Sequence, residues 1–455
     1  MDLLKPIVAG FTYDAYLRRD GYRLREHCRA LAASQYFSAD ELQALQLERM
    51  KRILTAAHAT NAFYRHRFRA CGFEPGDFRD FADLARLPIL TKDDIRNELA
   101  ANLSAGFAPE NVVQKRTGGS TGVPLRVCID FDAAAAKKAA TERHDAWARR
   151  HPGDRLAAVW GDTAGPQPWR ARLRNALTTR ALFLDTLRFE PGAIDAFVAR
   201  IRRLRPPVLM GHAHSVFRLA EYVRDHGMAD IGFRSVITTA MVLTETERRT
   251  IEAVFRAPVF DRYGCEEMSI IASECEAHRG LHIFAEGVYI ELEGERENQP
   301  RPLIITDLLN RAMPLIRYEV GDLGVAQSGT CPCGRGLPRL REVSGRSADF
   351  LYTPDRVPVF GISILDTFVI HIPGVKQCQI VQDRYDHFDV FIVRDAGFAD
   401  ESLARLRRNV VQIFGERMRY DVHPVAAIPQ TERGKYRFSI CRIEEEMPRD
   451  GAPRG

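Results

Sequence analysis

The chain has 455 residues, with 65 Lys and Arg against 60 Asp and Glu, a formal net charge of +5 and 45% hydrophobic content. That is the balance of an ordinary soluble globular protein, long enough for about two to four domains. The basic residues are scattered as pairs (Arg149-Arg150, Arg202-Arg203, Arg407-Arg408), which argues against nucleic acid as a partner because such binding needs a concentrated patch. Met1 to Pro6 lacks the basic start and apolar core of a signal peptide, and no apolar run approaches the ~20 residues that span a bilayer. A cytoplasmic protein with no membrane span is expected. Nine cysteines, an odd set whose members mostly stand alone, argue against a disulfide framework.

In chain order, Leu42, Leu45, Leu47, Met50, Ile53 and Leu54 recur at helical spacing, and a further helix is expected to open at Thr91-Lys92-Asp93-Asp94. Residues 1–100 are therefore predicted to be largely helical. Arg116-Thr117-Gly118-Gly119-Ser120-Thr121-Gly122-Val123-Pro124 comes next. Its glycines permit a tight turn and close approach to an anion, and the hydroxyls of Thr117, Ser120 and Thr121 stand among them as donors. Leu125 to Ile129 reads as a strand, so the loop has strand character on both sides. That suits phosphate handling, although it is not a P-loop, since the Gly-Lys-Ser/Thr ending is missing. A simple surface turn is the alternative.

Ala133 to Arg150 reads as a helix. Leu156 to Trp160, Val208 to Gly211 and Ser235 to Thr239 read as buried strands, with helices from Ile194 to Leu204 and Glu245 to Phe255 between them. This alternation predicts an α/β fold with a largely parallel sheet. Strand character increases at Tyr289 to Glu293 and Leu303 to Thr306. Near Gly345-Arg346 the texture changes to strands at Gln379 to Asp383 and Asp389 to Arg394, a helix from Ala399 to Phe414 and a final strand near Val422. The expected division is a large domain over 1–345 and a small α+β domain over 346–455.

Several segments carry chemistry. In Asp261-Arg262-Tyr263-Gly264-Cys265-Glu266-Glu267, a glycine and two carboxylates follow a strand end, where α/β sheets bind ligands. The acids suit Mg²⁺, or equally a helix N-terminus. Asp322 follows Gly321 after an apolar segment and suits a ribose diol, or a hairpin turn. Arg346 suits bidentate phosphate contact, and Lys435, beside Gly434, is a mobile point charge able to reach a phosphate.

In this order, these elements resemble the adenylate-forming superfamily of acyl-CoA synthetases, and more narrowly the phenylacetate–CoA ligase family in its capsular-polysaccharide-associated branch. The resemblance extends over nearly the whole chain, including Leu87 to Lys92 and Asn310 to Asp322. It implies a large adenylate-forming domain with a small mobile C-terminal domain. The cofactors implied are ATP, Mg²⁺ and coenzyme A, and the partner is a small-molecule carboxylic acid; a homodimer is left open. Thr117, Gly118, Gly119, Ser120, Thr121 and Gly122 match the loop over the ATP phosphates. Tyr263, Gly264 and Glu267 match the tyrosine–glycine–acid motif, whose acid helps to hold Mg²⁺. Asp322 matches the ribose-binding aspartate, Arg346 the arginine near the hinge, and Lys435 the catalytic lysine of the mobile domain. Ala240 and Met241 correspond to the adenine side of the pocket, and Met241 departs from the family's usual glutamate. The implied reaction forms acyl-AMP and then a thioester with coenzyme A. The alternatives are transfer to an amine, an alcohol or a carrier protein, or a non-catalytic nucleotide-binding homologue.

Cys331-Pro332-Cys333 places two thiols in a tight turn, and Cys275-Glu276-Ala277-His278-Arg279-Gly280-Leu281-His282 adds a thiol and two imidazoles. Three thiolates and one imidazole form a structural zinc set. The alternative is a core thiol at Cys275 and a merely rigid turn. Some members of the resembled family pair such segments around zinc, with His282 as the matching imidazole. His212, His214 and Trp160 read as packed residues or as the wall of an acyl pocket.

Overall fold

Apolar runs without alternation must be buried on both faces, and they set the centre of this molecule. The computed structural model describes residues 4–8, 23–98, 103–116, 125–160, 169–185, 191–293, 299–346, 351–356, 358–359, 372–428 and 439–443. These fall into two compact units, one through Val343 and one from Ser344 onward.

In the first unit, β1 (Val112–Arg116) and β2 (Arg126–Asp130) form an antiparallel pair with Arg116 opposite Arg126. Five parallel strands follow: β3 (Leu156–Trp160), β4 (Ala181–Asp185), β5 (Val208–His212), β6 (Ser235–Thr239) and β7 (Val259–Cys265). The chain then turns antiparallel through β8 (Ser269–Glu274) and β9 (Leu281–Ile283). It continues with β10 (Val288–Leu292), β11 (Arg301–Asp307), β12 (Tyr318–Gln327) and β13 (Arg339–Arg346), the strand within which the first unit gives way to the second at Ser344. Among the described residues these eleven strands form one sheet, in the order β10-β11-β12-β13-β9-β8-β7-β6-β5-β3-β4. The parallel half agrees with the alternation read from sequence, which had missed β4 and its preceding helix, Trp169–Leu177.

The connecting helices are set by local chemistry. Helix Pro191–Leu204 turns Ile194, Phe197, Val198 and Ile201 inward at i, i+3, i+4 and i+7 spacing. Helix Glu245–Phe255 starts at a capping box in which Thr244 and Glu247 satisfy each other's backbone amides. Thr91 caps its helix in the same way, with Asp94 as its reciprocal partner.

Helix Phe131–Trp147 follows a different rule. It buries five alanines and is fixed by charge. Lys137 Nζ lies 2.5 Å from Asp307 Oδ2, with both side chains almost fully buried. Arg143 makes a two-pronged contact with Glu286 at 2.6 and 3.1 Å, and Ser34 Oγ donates to the same carboxylate. Asp145 accepts from Arg262 at 2.8 Å and from Arg150 at 2.6 Å. Burial opposes its ionisation, but the two guanidinium groups prevail and hold its carboxyl below the usual value. Small alanines give little steric register, so these pairs fix the helix against the sheet.

The second unit contains β14 (Leu351–Tyr352), β15 (Pro358–Val359), β16 (Val375–Arg384), β17 (His387–Arg394), β18 (Arg419–Pro424) and β19 (Ser439–Cys441). The last four form a sheet in the order β18-β17-β16-β19. Helix Asp400–Phe414 packs on one face, where Phe388 and Phe414 meet edge to face at 5.0 Å. The strand expected near Val422 is β18, but it is not the last: β19 follows and pairs parallel with β16.

Asp307 also accepts from the amides of Leu309 and Asn310 at 3.0 and 3.2 Å, so removing Lys137 leaves a buried anion in a built site. Lys137→Met is expected to cost about 3–5 kcal/mol in urea unfolding, and Lys137→Met/Asp307→Leu to recover much of that loss.

Candidate functional site

The carboxyl ends of the parallel strands are where such sheets bind ligands, and the candidate residues gather there. β6 ends at Thr239. Ala240 then takes a left-handed backbone (φ 65°), an uncommon state for a residue with a Cβ, and is exposed, with Met241 half-buried beside it. Below this bend Thr238 Oγ1 donates to Asp261 Oδ1 at 3.0 Å and ties β6 to β7. Loss of water, and then the charge of Glu274, push Asp261 up to about 7.

Tyr263 and Gly264 lie in β7, and Glu266, Glu267 and Met268 turn the chain back into β8. The paired acids therefore occupy a hairpin turn, not a helix N-terminus. Gly264 is required by close approach: a Cβ there would lie 2.4 Å from the Ser269 carbonyl oxygen. Tyr263 Oη donates to Asp322 Oδ2 at 2.8 Å. In return, Tyr318 Oη donates to Glu267 Oε1 at 3.0 Å in the interior. Tyr318 and Asp322 both belong to β12, with Gly321 between them in the left-handed region (φ 82°), so Asp322 is a strand residue and not a hairpin corner. Glu267 offers a hard oxygen suited to Mg²⁺, and Asp322 an acceptor suited to a diol.

Lys115 and Tyr318 are additions that sequence reasoning did not supply. Lys115, one residue before the end of β1, donates to Ser269 Oγ at 3.0 Å and stands 3.9 Å from Glu266. Burial lowers its pKa. The spacing of four between Tyr318 and Asp322 was the available signal for the tyrosine, since strand residues an even number apart share a face. Nothing local marked Lys115.

Thr117, Gly118, Gly119, Ser120, Thr121, Gly122 and Lys435 lie outside the described residues. Arg346 is the last residue of β13, and its side chain is likewise outside them. His212 is buried against the Trp160 ring at 4.3 Å, and His214 Nδ1 faces Glu247 at 3.1 Å.

A second cluster lies on the antiparallel half. Cys275, His282, Cys331 and Cys333 present donor atoms all within 4.8 Å of one another. Cys275 and Cys331 sulfurs are 3.7 Å apart, and Cys333 Sγ is 3.3 Å from His282 Nε2. His282 Nδ1 faces the Leu337 carbonyl at 3.1 Å, which orients Nε2 toward the thiols as outer contacts do for metal-bound imidazoles. Burial lowers His282 to about 4, leaving a neutral ring, and raises Cys275 to about 12. Burial also opposes ionisation of Cys333, but donors from Arg335 and the neighbouring thiols bring it below the ordinary thiol value. The donor set fits zinc. His278 takes no part, since its Nδ1 faces Glu274 at 3.2 Å. None of the nine cysteines forms a disulfide.

Among the described residues no helix is long and apolar enough to cross a membrane. The CapK C-terminal domain family model matches residues 351–442. Phenylacetate-coenzyme A ligase of Thermus thermophilus is 26% identical over 374 residues, covering 80% of each chain. The Escherichia coli enzyme of the same name is 28% identical over 372 residues, covering 78% of this chain and 83% of that one. Protein CapK of Staphylococcus aureus is 24% identical over 372 residues, covering 80% and 81%. Among solved structures, 2-hydroxyisobutyryl-CoA ligase in its postadenylation state superposes with a TM-score of 0.73, 20% identity and coverage of 90% and 91%.

Gly264→Ala must displace the Ser269 backbone, and a loss of about 1–3 kcal/mol is expected in chemical denaturation. Gly76→Ala, with open space around the added Cβ, is the control and is expected to stay within about 0.5 kcal/mol of the parent.

Proposed function

We propose that this chain, a homologue of the phenylacetate-coenzyme A ligases on the adenylate-forming fold, activates a carboxylic acid with ATP and passes the acyl group to coenzyme A. The observation that carries this reading is the reciprocal bonding that holds Glu267 and Asp322 together at the sheet's carboxyl end.

In the first step a carboxylate oxygen of the acid attacks the α-phosphorus of ATP, and pyrophosphate leaves. In the second the thiol sulfur attacks the acyl carbon of acyl-AMP, and AMP leaves. Displacement at phosphorus depends mainly on positioning and on neutralising charge. Asp322, oriented by the Tyr263 hydroxyl, accepts hydrogen bonds from the ribose diol. The loop from Thr117 to Gly122 grips the departing pyrophosphate, with Lys115 adding positive charge at its base. Arg346 contacts phosphate oxygens, and Lys435 supplies a mobile positive charge to the acyl-phosphate. Glu267 would hold Mg²⁺, whose charge offsets that of the phosphates. Ala240 and Met241 border the adenine.

Cys275, His282, Cys331 and Cys333 would hold zinc in a structural role, because four protein ligands leave no open coordination position. Held by these four residues, zinc would tie the β8–β9 turn, through Cys275 and His282, to the chain between β12 and β13, through Cys331 and Cys333. The free thiols and the dependence on ATP and coenzyme A suit the cytoplasm.

The test is pyrophosphate release from Mg²⁺-ATP with a panel of aryl, arylacetic, fatty and amino acids, with and without coenzyme A. Release that depends on one class of acid, with conversion to thioester, is expected. Lys435→Ala is expected to slow that release by about 100-fold without lowering thermal stability. Absence of release with every acid would favour a non-catalytic binding role. Release that coenzyme A leaves unaltered would point to another acceptor.

A further inference from the structure

The second unit carries a set of donor side chains that the proposed reaction does not use. Alternation along β17 divides its residues between two faces: Phe388, Val390 and Ile392 are buried, and Phe388 meets Phe414 of the helix. His387, Asp389 and Phe391 therefore project from the opposite face. β18 runs parallel to β17 with Asp389 opposite Asp421 and Phe391 opposite His423, so both pairs stand on that same open face.

Two carboxylates placed directly opposite each other across paired strands repel, and sheets ordinarily avoid this. Here the repulsion coincides with imidazoles already turned toward the acids. His387 Nε2 lies 3.0 Å from Asp421 Oδ2, and His423 Nε2 lies 2.7 Å from Asp389 Oδ1. One donor atom from each of His387, Asp389 and Asp421 lies within 4.8 Å of the others. The His387 side chain is only 12% exposed, whereas Asp421 is 70% exposed, so the group is anchored on one side and open to solvent on the other. The nearby Arg419 guanidinium is engaged by Asp386.

We propose that His387, Asp389 and Asp421 form a binding site for a divalent cation of the zinc class, separate from the thiol cluster of the first unit. One imidazole nitrogen and two carboxylate oxygens suit such a borderline cation and leave room for water. A cation between Asp389 and Asp421 turns their repulsion into shared coordination. His423 is the outer partner, holding the Asp389 carboxylate in place through Nε2. The site does not depend on the proposed reaction, and it stands whether or not the chain activates an acid.

The test is titration of the untagged, full-length protein with Zn²⁺ against a chromogenic chelator, alongside His387→Ala, Asp421→Asn and Cys275→Ser/Cys333→Ser. The proposal expects one equivalent in the parent that the thiol substitutions leave in place, and that His387→Ala and Asp421→Asn each weaken at least tenfold. Asp421 is largely exposed, so Asp421→Asn is expected to keep the parent's melting temperature in metal-free buffer, which separates lost binding from lost folding. An unchanged stoichiometry and affinity in both His387→Ala and Asp421→Asn would overturn the assignment, as would binding that vanishes completely with the thiol substitutions.

Discussion

Two tyrosine–carboxylate hydrogen bonds running in opposite directions hold the site together. Tyr263 in β7 donates to Asp322 in β12, and Tyr318 in β12 donates to Glu267 in the turn after β7. The strands are not neighbours: β8, β9 and β13 lie between them in the sheet. The bonds therefore close a chord across that half of the sheet. Hydrogen bonds to charged groups contribute roughly 1.5–3 kcal/mol each, and more is at stake where a partner is buried, as Tyr318 and Glu267 are. Each acid has its position fixed by a residue from the other's element, so neither can shift independently.

That chord needs a rigid backing. Helix Phe131–Trp147 supplies it through buried charges: Lys137 holds β11 through Asp307, and Arg262, one residue before Tyr263, is paired with Asp145. Asn310 completes the bracing by donating to the Cys128 and Met313 carbonyls and accepting from the Asp130 amide. The segment from Thr306 to Asn310 thus acts as a structural joint between β2, β11 and the helix. Buried ion pairs are weak sources of net stability, but breaking one is costly, so this arrangement resists slippage in register.

Much of the fold was legible in the sequence because its signals are local. Uninterrupted apolar runs marked β3, β5 and β6, and Thr91 and Thr244 begin their helices through short-range capping. Tyr263, Gly264 and Asp322 were visible as motifs. The reciprocal bond between Tyr318 and Glu267 was not, since its partners are 51 positions apart and meet only through the sheet order. Lys115 was hidden for the same reason, with 154 positions separating it from Ser269. The acids at Glu266 and Glu267 were locally ambiguous between a turn and a helix start, and Gly264 resolved them through a backbone contact that composition does not encode. The thiol cluster lay between these cases: spacing suggested the donors, the family resemblance matched His282, and the fold brings those four together while His278 faces Glu274.

The central claim is that the acid's own oxygen attacks the α-phosphorus, and isotope transfer tests that bond directly. Supply a turned-over carboxylic acid labelled with ¹⁸O in its carboxyl group, together with ATP, Mg²⁺ and coenzyme A, and analyse the products by mass spectrometry. The account predicts one labelled oxygen in AMP and the other in the thioester carbonyl, with none in pyrophosphate. Label appearing in inorganic phosphate, or AMP released without label, would contradict it.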